Sequence, residues 1–379
     1  MIKVMTVFGT RPEAIKMAPL IKELEKNDKI ESIVAVTAQH REMLDQVLAL
    51  FDIKPDYDLN IMKPGQTLAQ ITTRALTGLE EVIREAKPDI VLVHGDTSTT
   101  FAGALASFYC QTKVGHVEAG LRTNDKYSPW PEEMNRCLTG KIADLHFSPT
   151  VSNRENLVRE NISEDIIFIT GNTVIDALKT TVRADYAFKD KTLSSLDYGK
   201  NKVILMTAHR RENLGEPLKN ICKAVRNIVL NHADVHVVYP MHMNPLVRKT
   251  AKEILGDLDR VHLIEPLDVE EMHNAMDRCY MVMTDSGGLQ EEAPSLGKPV
   301  IVLRTETERP EAVNAGTVIM GGVEADDIIE KANMLLEDKE AYERIAKTAN
   351  PYGDGRASER IVDAILYAFG EGQRPCDLN

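Results

Sequence analysis

Cysteine is scarce in this chain. Only Cys110, Cys137, Cys222, Cys279 and Cys376 occur among 379 residues, and no two stand close together. An odd count without a C-x-x-C pair argues against a disulfide framework and against a cysteine-based metal or redox motif. Reduced, structural thiols in the cytosol are the expectation. Long apolar runs are missing too: none approaches the roughly 20 residues of a membrane span. The opening MIKVMTVF is apolar for only a few residues before Gly9 and reads as a first β-strand rather than a signal peptide. Basic residues are outnumbered, with 45 Lys+Arg against 58 Asp+Glu and a formal net charge of −13. Neither nucleic acid nor an anionic membrane is expected as a partner, because both call for a broad basic surface. An anionic ligand can still bind locally, at Arg, Lys or helix N-termini. Several signatures are absent as well: G-x-G-x-x-G after a strand, G-x-S-x-G, H-E-x-x-H, the glycine spacing of a P-loop, and the kinase set. A nicotinamide site is unsupported, and neither cofactor nor metal is expected.

What is present is ordinary for a globular protein, 43% hydrophobic and 27% charged, and the length suits two to three domains. Short apolar, β-rich runs alternate with helical patterns such as residues 68–86. In the first half the runs are 3–8, 33–37, 90–94, 114–118, 145–148 and 166–169. In the second they are 203–208, 235–239, 261–264, 280–284, 300–303 and 317–320. Continuous apolar runs suit strands buried on both faces of a parallel sheet. Two successive βαβ series predict an α/β protein of two Rossmann-like domains. The boundary is expected between Gly171 and Asn201, where the polar stretch 185–201 reads as a loop or linker; the domains are taken as 1–172 and 173–355, with a final helix at about 356–379 packing back on the first.

Ligands of such sheets bind at the carboxyl ends of the strands. After the first strand comes GTRPEAIK: Gly9 permits close approach of the backbone, and Arg11 and Pro12 begin a helix whose N-terminus favours phosphate. Asp96 in HGDT and Glu118 in HVEAG stand at two further strand ends. Glu132 opens a helix after the stiff YSPWP loop. Each carboxylate has a plain alternative: Asp96 as a helix cap, Glu132 paired with Arg136 one turn on. Three on one domain edge point to acid–base work. In the second half His209 ends a strand before Arg210 and Arg211. Ser286, Gly287 and Gly288 open a helix as a diphosphate cradle without a Walker lysine, Glu292 lies one turn further in reach of ribose hydroxyls, and Arg309 follows another strand. These features alone reach a nucleotide-sugar transferase or isomerase.

The motifs FGTRPEAIKMAPL, TAQHREMLDQ, VLVHGDT, GHVEAGLRT, YSPWPEEMNR, HFSPT, GNTVIDAL, TAHRREN, TDSGGLQEEAPSLGKP, TERPEA and NPYGDG together resemble the non-hydrolysing bacterial UDP-N-acetylglucosamine 2-epimerases, over almost the whole chain. The resemblance implies the glycosyltransferase-B architecture, two Rossmann-like domains facing a cleft, and a homodimer. It implies Asp96, Glu118, Glu132 and His209 as catalytic, and Arg11, Lys16, Leu267, Met272, Ser286, Gly287, Gly288, Glu292 and Arg309 as contacts to the UDP-sugar. It further implies a second UDP-N-acetylglucosamine site, an allosteric one, at Gln39, Glu42, Gln66, Arg210 and His242. The implied reaction interconverts UDP-N-acetylglucosamine and UDP-N-acetylmannosamine by elimination and re-addition of UDP, for cell-surface polysaccharide synthesis. A glycosyltransferase of the same fold is the alternative.

Overall fold

The Val- and Ile-rich runs form strands in two separate parallel sheets. The structure, a computed structural model, describes residues 1–378 except 39, 40, 64 and 308, and not the side chain of residue 42. The first sheet holds β1 (Ile2–Phe8), β2 (Ile30–Val36), β3 (Tyr57–Asp58), β4 (Ile90–His94), β5 (Lys113–Val117), β6 (Leu145–Ser148) and β7 (Ile167–Ile169). Its order is β3-β2-β1-β4-β5-β6-β7, parallel throughout. The second holds β8 (Lys202–Thr207), β9 (Val235–Pro240), β10 (Val261–Ile264), β11 (Met281–Thr284), β12 (Val300–Val302) and β13 (Val318–Met320), in the order β10-β9-β8-β11-β12-β13. Every predicted run is a strand. Only β3 was not anticipated, because two half-exposed residues at a sheet edge carry no periodic signal.

In both sheets the order reverses direction once, between β1 and β4 and between β8 and β11. Helices before and after such a point leave the sheet on opposite faces, which opens a crevice at the strands' carboxyl ends. The chain divides into two compact α/β units, Met1–Thr180 with Tyr352–Asn379, and Thr181–Pro351. Each has its own apolar core. Met5, Val7, Val91 and Val93 pack with Leu79 and Ala102 in the first. Ile204, Met206, Val237 and Met283 pack with Val225 and Leu335 in the second. The last helix, Ala357–Ala368, lies against Arg11–Glu25. Its N-terminus is held by Asp176, which accepts from Ala357 N at 3.1 Å and Ser358 N at 2.7 Å. No helix among the described residues is long and apolar enough to cross a membrane.

Candidate active site

The first unit gathers its candidates at the adjacent ends of β1, β4 and β5. Glu118 is the first residue past β5 and adopts φ +61°. A side-chain-bearing residue stays in the left-handed region only where its surroundings hold it. Here the hold is polar: one oxygen, Oε2, receives Lys16 Nζ and Asn172 Nδ2 (3.2 Å), with His94 Nε2 at 3.4 Å. The Glu118 side chain is only 11% exposed. Burial pushes its carboxyl up, yet the Lys16 ammonium and the neighbouring His94 hold it well below the usual carboxylate range. The other oxygen, Oε1, has no hydrogen-bond partner among the described residues.

Arg11 begins the helix Arg11–Glu25 beside this group, with Pro12 in its first turn, as anticipated. Gly9 plays a different part from the one expected. A Cβ there would lie 2.1 Å from Thr37 Oγ1 and 2.7 Å from Thr99 Oγ1, so the close approach is to the protein's own hydroxyls. Asp96 does not cap the helix that follows it; Thr97 does, accepting from Thr100 N at 3.1 Å. The Asp96 carboxylate is instead paired with Arg136, and its backbone carbonyl accepts from Asn135 Nδ2 at 2.9 Å. Arg136 also bonds Glu133 (3.2 Å), leaving Glu132 half-buried and without a hydrogen bond or ion pair among the described residues. Glu133 is structural: it accepts from Thr123 N and Asn124 N at 3.0 and 2.9 Å. Glu132 thus stands unneutralised at the mouth of a helix anchored to the β4 loop.

The second unit builds a different group around the ends of β8 and β11. The helix Gly287–Ser295 begins one residue after Ser286. Ser286 N already donates to Thr284 Oγ1 at 2.9 Å, so the first-turn N–H groups open to a ligand are those of Gly287 and Gly288. Two guanidinium groups flank them: a Cβ on Gly287 would lie 3.7 Å from a terminal nitrogen of both Arg210 and Arg309. Arg309 is steered by an ion pair with buried Glu291. Helix N-terminus and two arginines make a strong anion site. Glu292 is not on a solvated face; it pairs with buried His273 at 3.4 Å, and His273 bonds Thr181 Oγ1 at 2.7 Å. Met272 precedes His273 on the helix Val269–Arg278, with Leu267 just before that helix. Leu267 and Met272, two of the implied UDP-sugar contacts, are therefore linked to the cradle helix through His273.

His209 follows β8. Its ring stacks on His242, centroids 5.2 Å apart and 5° from parallel. Burial lowers its pKa and Asp285 raises it; His242 and Arg210 lower it further. Of the residues assigned by resemblance to a second ligand site, Arg210 and His242 thus touch the cradle and His209. Gln66 is tied back to its own loop, accepting from Lys63 N at 2.6 Å and donating to Ile61 O at 2.9 Å. Gln39 and the Glu42 side chain lie outside the described residues. Among the described residues no group of three or more His, Cys, Asp and Glu side chains is placed to hold a metal ion.

A profile of UDP-N-acetylglucosamine 2-epimerase matches residues 22–366. The chain belongs to the UDP-N-acetylglucosamine 2-epimerase family. The UDP-N-acetylglucosamine 2-epimerase of Bacillus subtilis is 60% identical over 369 residues, 97% of this chain and 96% of that one. The S. aureus MnaA–UDP co-structure aligns with TM-score 0.91 and 53% identity, covering 100% of both chains. The Neisseria meningitidis epimerase bound to UDP-GlcNAc aligns with TM-score 0.88 and 52% identity, over 97% of this chain and 100% of that one. The family is one of isomerases, and its two parallel-sheet domains are those found here.

Sequence reasoning passed over His94, Asn172, Asp285 and His273 and weighed Arg136 only as a partner of Glu132; all five hold a candidate residue in place. All but His273 stand inside quoted motifs, but their role lies in contacts between distant segments, which motif position does not reveal.

Proposed function

We propose that this chain interconverts UDP-N-acetylglucosamine and UDP-N-acetylmannosamine, without hydrolysis, by eliminating and re-adding UDP through 2-acetamidoglucal. The observation that carries the reading is a division of labour. One unit presents a mostly buried carboxylate held in its ionised form, Glu118, on the same domain edge as Asp96 and Glu132. The other presents an anion cradle at Gly287–Gly288 between Arg210 and Arg309. The two relatives named above, solved with UDP and with UDP-GlcNAc, align over 100% and 97% of this chain.

The hydrogen at carbon 2 is not acidic, since no adjacent carbonyl stabilises a carbanion. Breaking the C1–O bond first changes that. The bonding pair leaves on the β-phosphate oxygen of UDP, and positive charge develops at carbon 1. A carboxylate takes the carbon 2 proton, and its C–H pair becomes the C1=C2 double bond. Return runs the other way: a proton is delivered to the opposite face of carbon 2, and the UDP oxygen re-forms its bond to carbon 1. The cradle amides with Arg309 and Arg11 stabilise the departing diphosphate. Asp96, Glu118 and Glu132 move the protons, and His209 serves the diphosphate or a proton transfer. Lys16 keeps Glu118 ionised, and Leu267, Met272 and Glu292 receive the nucleoside.

We further propose a homodimer, supported by Phe108, Tyr109, Met134 and Leu138, apolar yet exposed on two helices that pack together. A second UDP-N-acetylglucosamine at Arg210 and His242 acts as activator, and the product feeds cell-surface polysaccharide. Light scattering, and the response of the reverse reaction to added UDP-N-acetylglucosamine, test the first two.

The decisive experiment is turnover in deuterated water. UDP-N-acetylmannosamine should carry deuterium at carbon 2. Product formed without deuterium there would rule out elimination.

A further inference from the structure

We propose that Asp285 is a positioning residue for His209, holding the proton on the Nδ1 side of the ring and leaving Nε2 as the nitrogen offered to the ligand. The proposal rests on His209 serving the reaction described above.

Asp285 is the first residue past β11 and is fully buried. Its two oxygens are used differently. Oδ2 is saturated: it accepts from His209 N at 2.7 Å, Arg210 N at 2.8 Å and Asn213 Nδ2 at 3.0 Å. Those bonds pin the loop after β8. Oδ1 is equally buried and accepts no hydrogen bond among the described residues, yet it lies 3.5 Å from His209 Nδ1. A buried carboxylate oxygen without a donor is costly. Pinning the loop needs only Oδ2, so a purely structural role leaves Oδ1 unexplained. A modest closing of the ring toward Asp285 completes an Nδ1–H···Oδ1 bond, and hydrogen bonds of this kind commonly tighten only with ligand bound.

The consequence is chemical. A carboxylate behind Nδ1 selects one neutral tautomer and steadies the imidazolium when Nε2 takes a proton. The groups facing the ring are Asp285, the stacked His242 and Arg210. Of these only Asp285 favours the charged form, against burial, His242 and Arg210. The same Oδ2 that fixes His209 also fixes Arg210, whose guanidinium borders Gly287. One side chain thus sets both the imidazole and an arm of the cradle.

The test uses the full chain labelled with 15N-histidine. NMR of the wild type with UDP should show neutral His209 protonated on Nδ1. Asp285→Asn keeps an oxygen for the three N–H donors but can turn an amide N–H toward Nδ1, which moves the ring proton to Nε2. Its kcat should fall on the order of 10²-fold, with KM little changed, and the His209 limb of the pH–kcat profile should move to lower pH. Asn213→Ala removes a donor from Oδ2 and spares Oδ1. It should lower the melting temperature and leave that limb in place. A wild-type ring protonated on Nε2 overturns the proposal, as does an Asp285→Asn enzyme with unchanged kcat and pH limb. If Asp285→Asn fails to fold, the wild-type tautomer decides. A wild type inactive on UDP-N-acetylglucosamine would remove the proposed reaction, while the tautomer would still answer for Asp285.

Discussion

At the scale of single residues the chemistry turns on how Glu118 stays ionised while mostly buried. Desolvation favours its neutral form, and the ammonium of Lys16 opposes that most strongly among its neighbours. Lys16→Met should therefore let the Glu118 pKa rise. If Glu118 works as a base, the acid limb of the kcat/KM profile moves to higher pH, and a pH–rate series measures it. A limb that stays put would mean that another group keeps Glu118 ionised. Glu118 itself was readable as a carboxylate at a strand end. Its partners were not: Lys16 is 102 residues away and Asn172 is 54 away, and only the folded chain brings them to one oxygen.

At the scale of elements, Glu13 shows how a helix start is tied to the loop of a neighbouring strand. Its Oε2 accepts from Gly9 N (3.1 Å), Thr10 N and the Thr10 hydroxyl (both 2.8 Å), which shapes the turn that presents Arg11. Its Oε1 accepts from Thr97 at 2.7 Å and Thr100 at 3.3 Å, joining that turn to the loop that carries Asp96. Glu13→Ala strands several buried donors at once, so urea unfolding should show a loss of about 2–4 kcal/mol. The exposed Lys26 partner Glu23 is the control, and Glu23→Ala should stay within roughly 0.5 kcal/mol. Comparable losses in both would assign Glu13 no special part. The spacing T-x-x-E is a helix-start signal in the sequence. The second half of the network, 84 residues on, is tertiary.

At the scale of the whole molecule, the first sheet carries a liability toward acid in its core. His116 and His146 face each other in register on β5 and β6, both fully buried in the first sheet. Burial pushes His116 down to about 3 and His146 to about 4, from an ordinary 6.5. Native imidazoles thus stay neutral while unfolded ones take protons. Stability from these groups is complete above about pH 6.5 and is lost progressively as pH falls toward the folded values. Calorimetry at about pH 7 and about pH 5 should show the melting temperature of the first unit falling by several degrees. His116→Gln should flatten that fall, and an unchanged slope would place the acid sensitivity elsewhere. Fold class and both strand series could be read from the chain, because apolar periodicity is local and each run declares itself within a few residues. So could the carboxylates, the His209 strand end and the Gly287–Gly288 turn, since strand ends follow from the strands. The tertiary structure decided which atoms meet: Lys16 on Glu118, Arg136 on Asp96 rather than Glu132, Arg210 beside Gly287, and Asp285 behind His209. Those pairings depend on strand order and on contacts between remote segments, which no local pattern encodes.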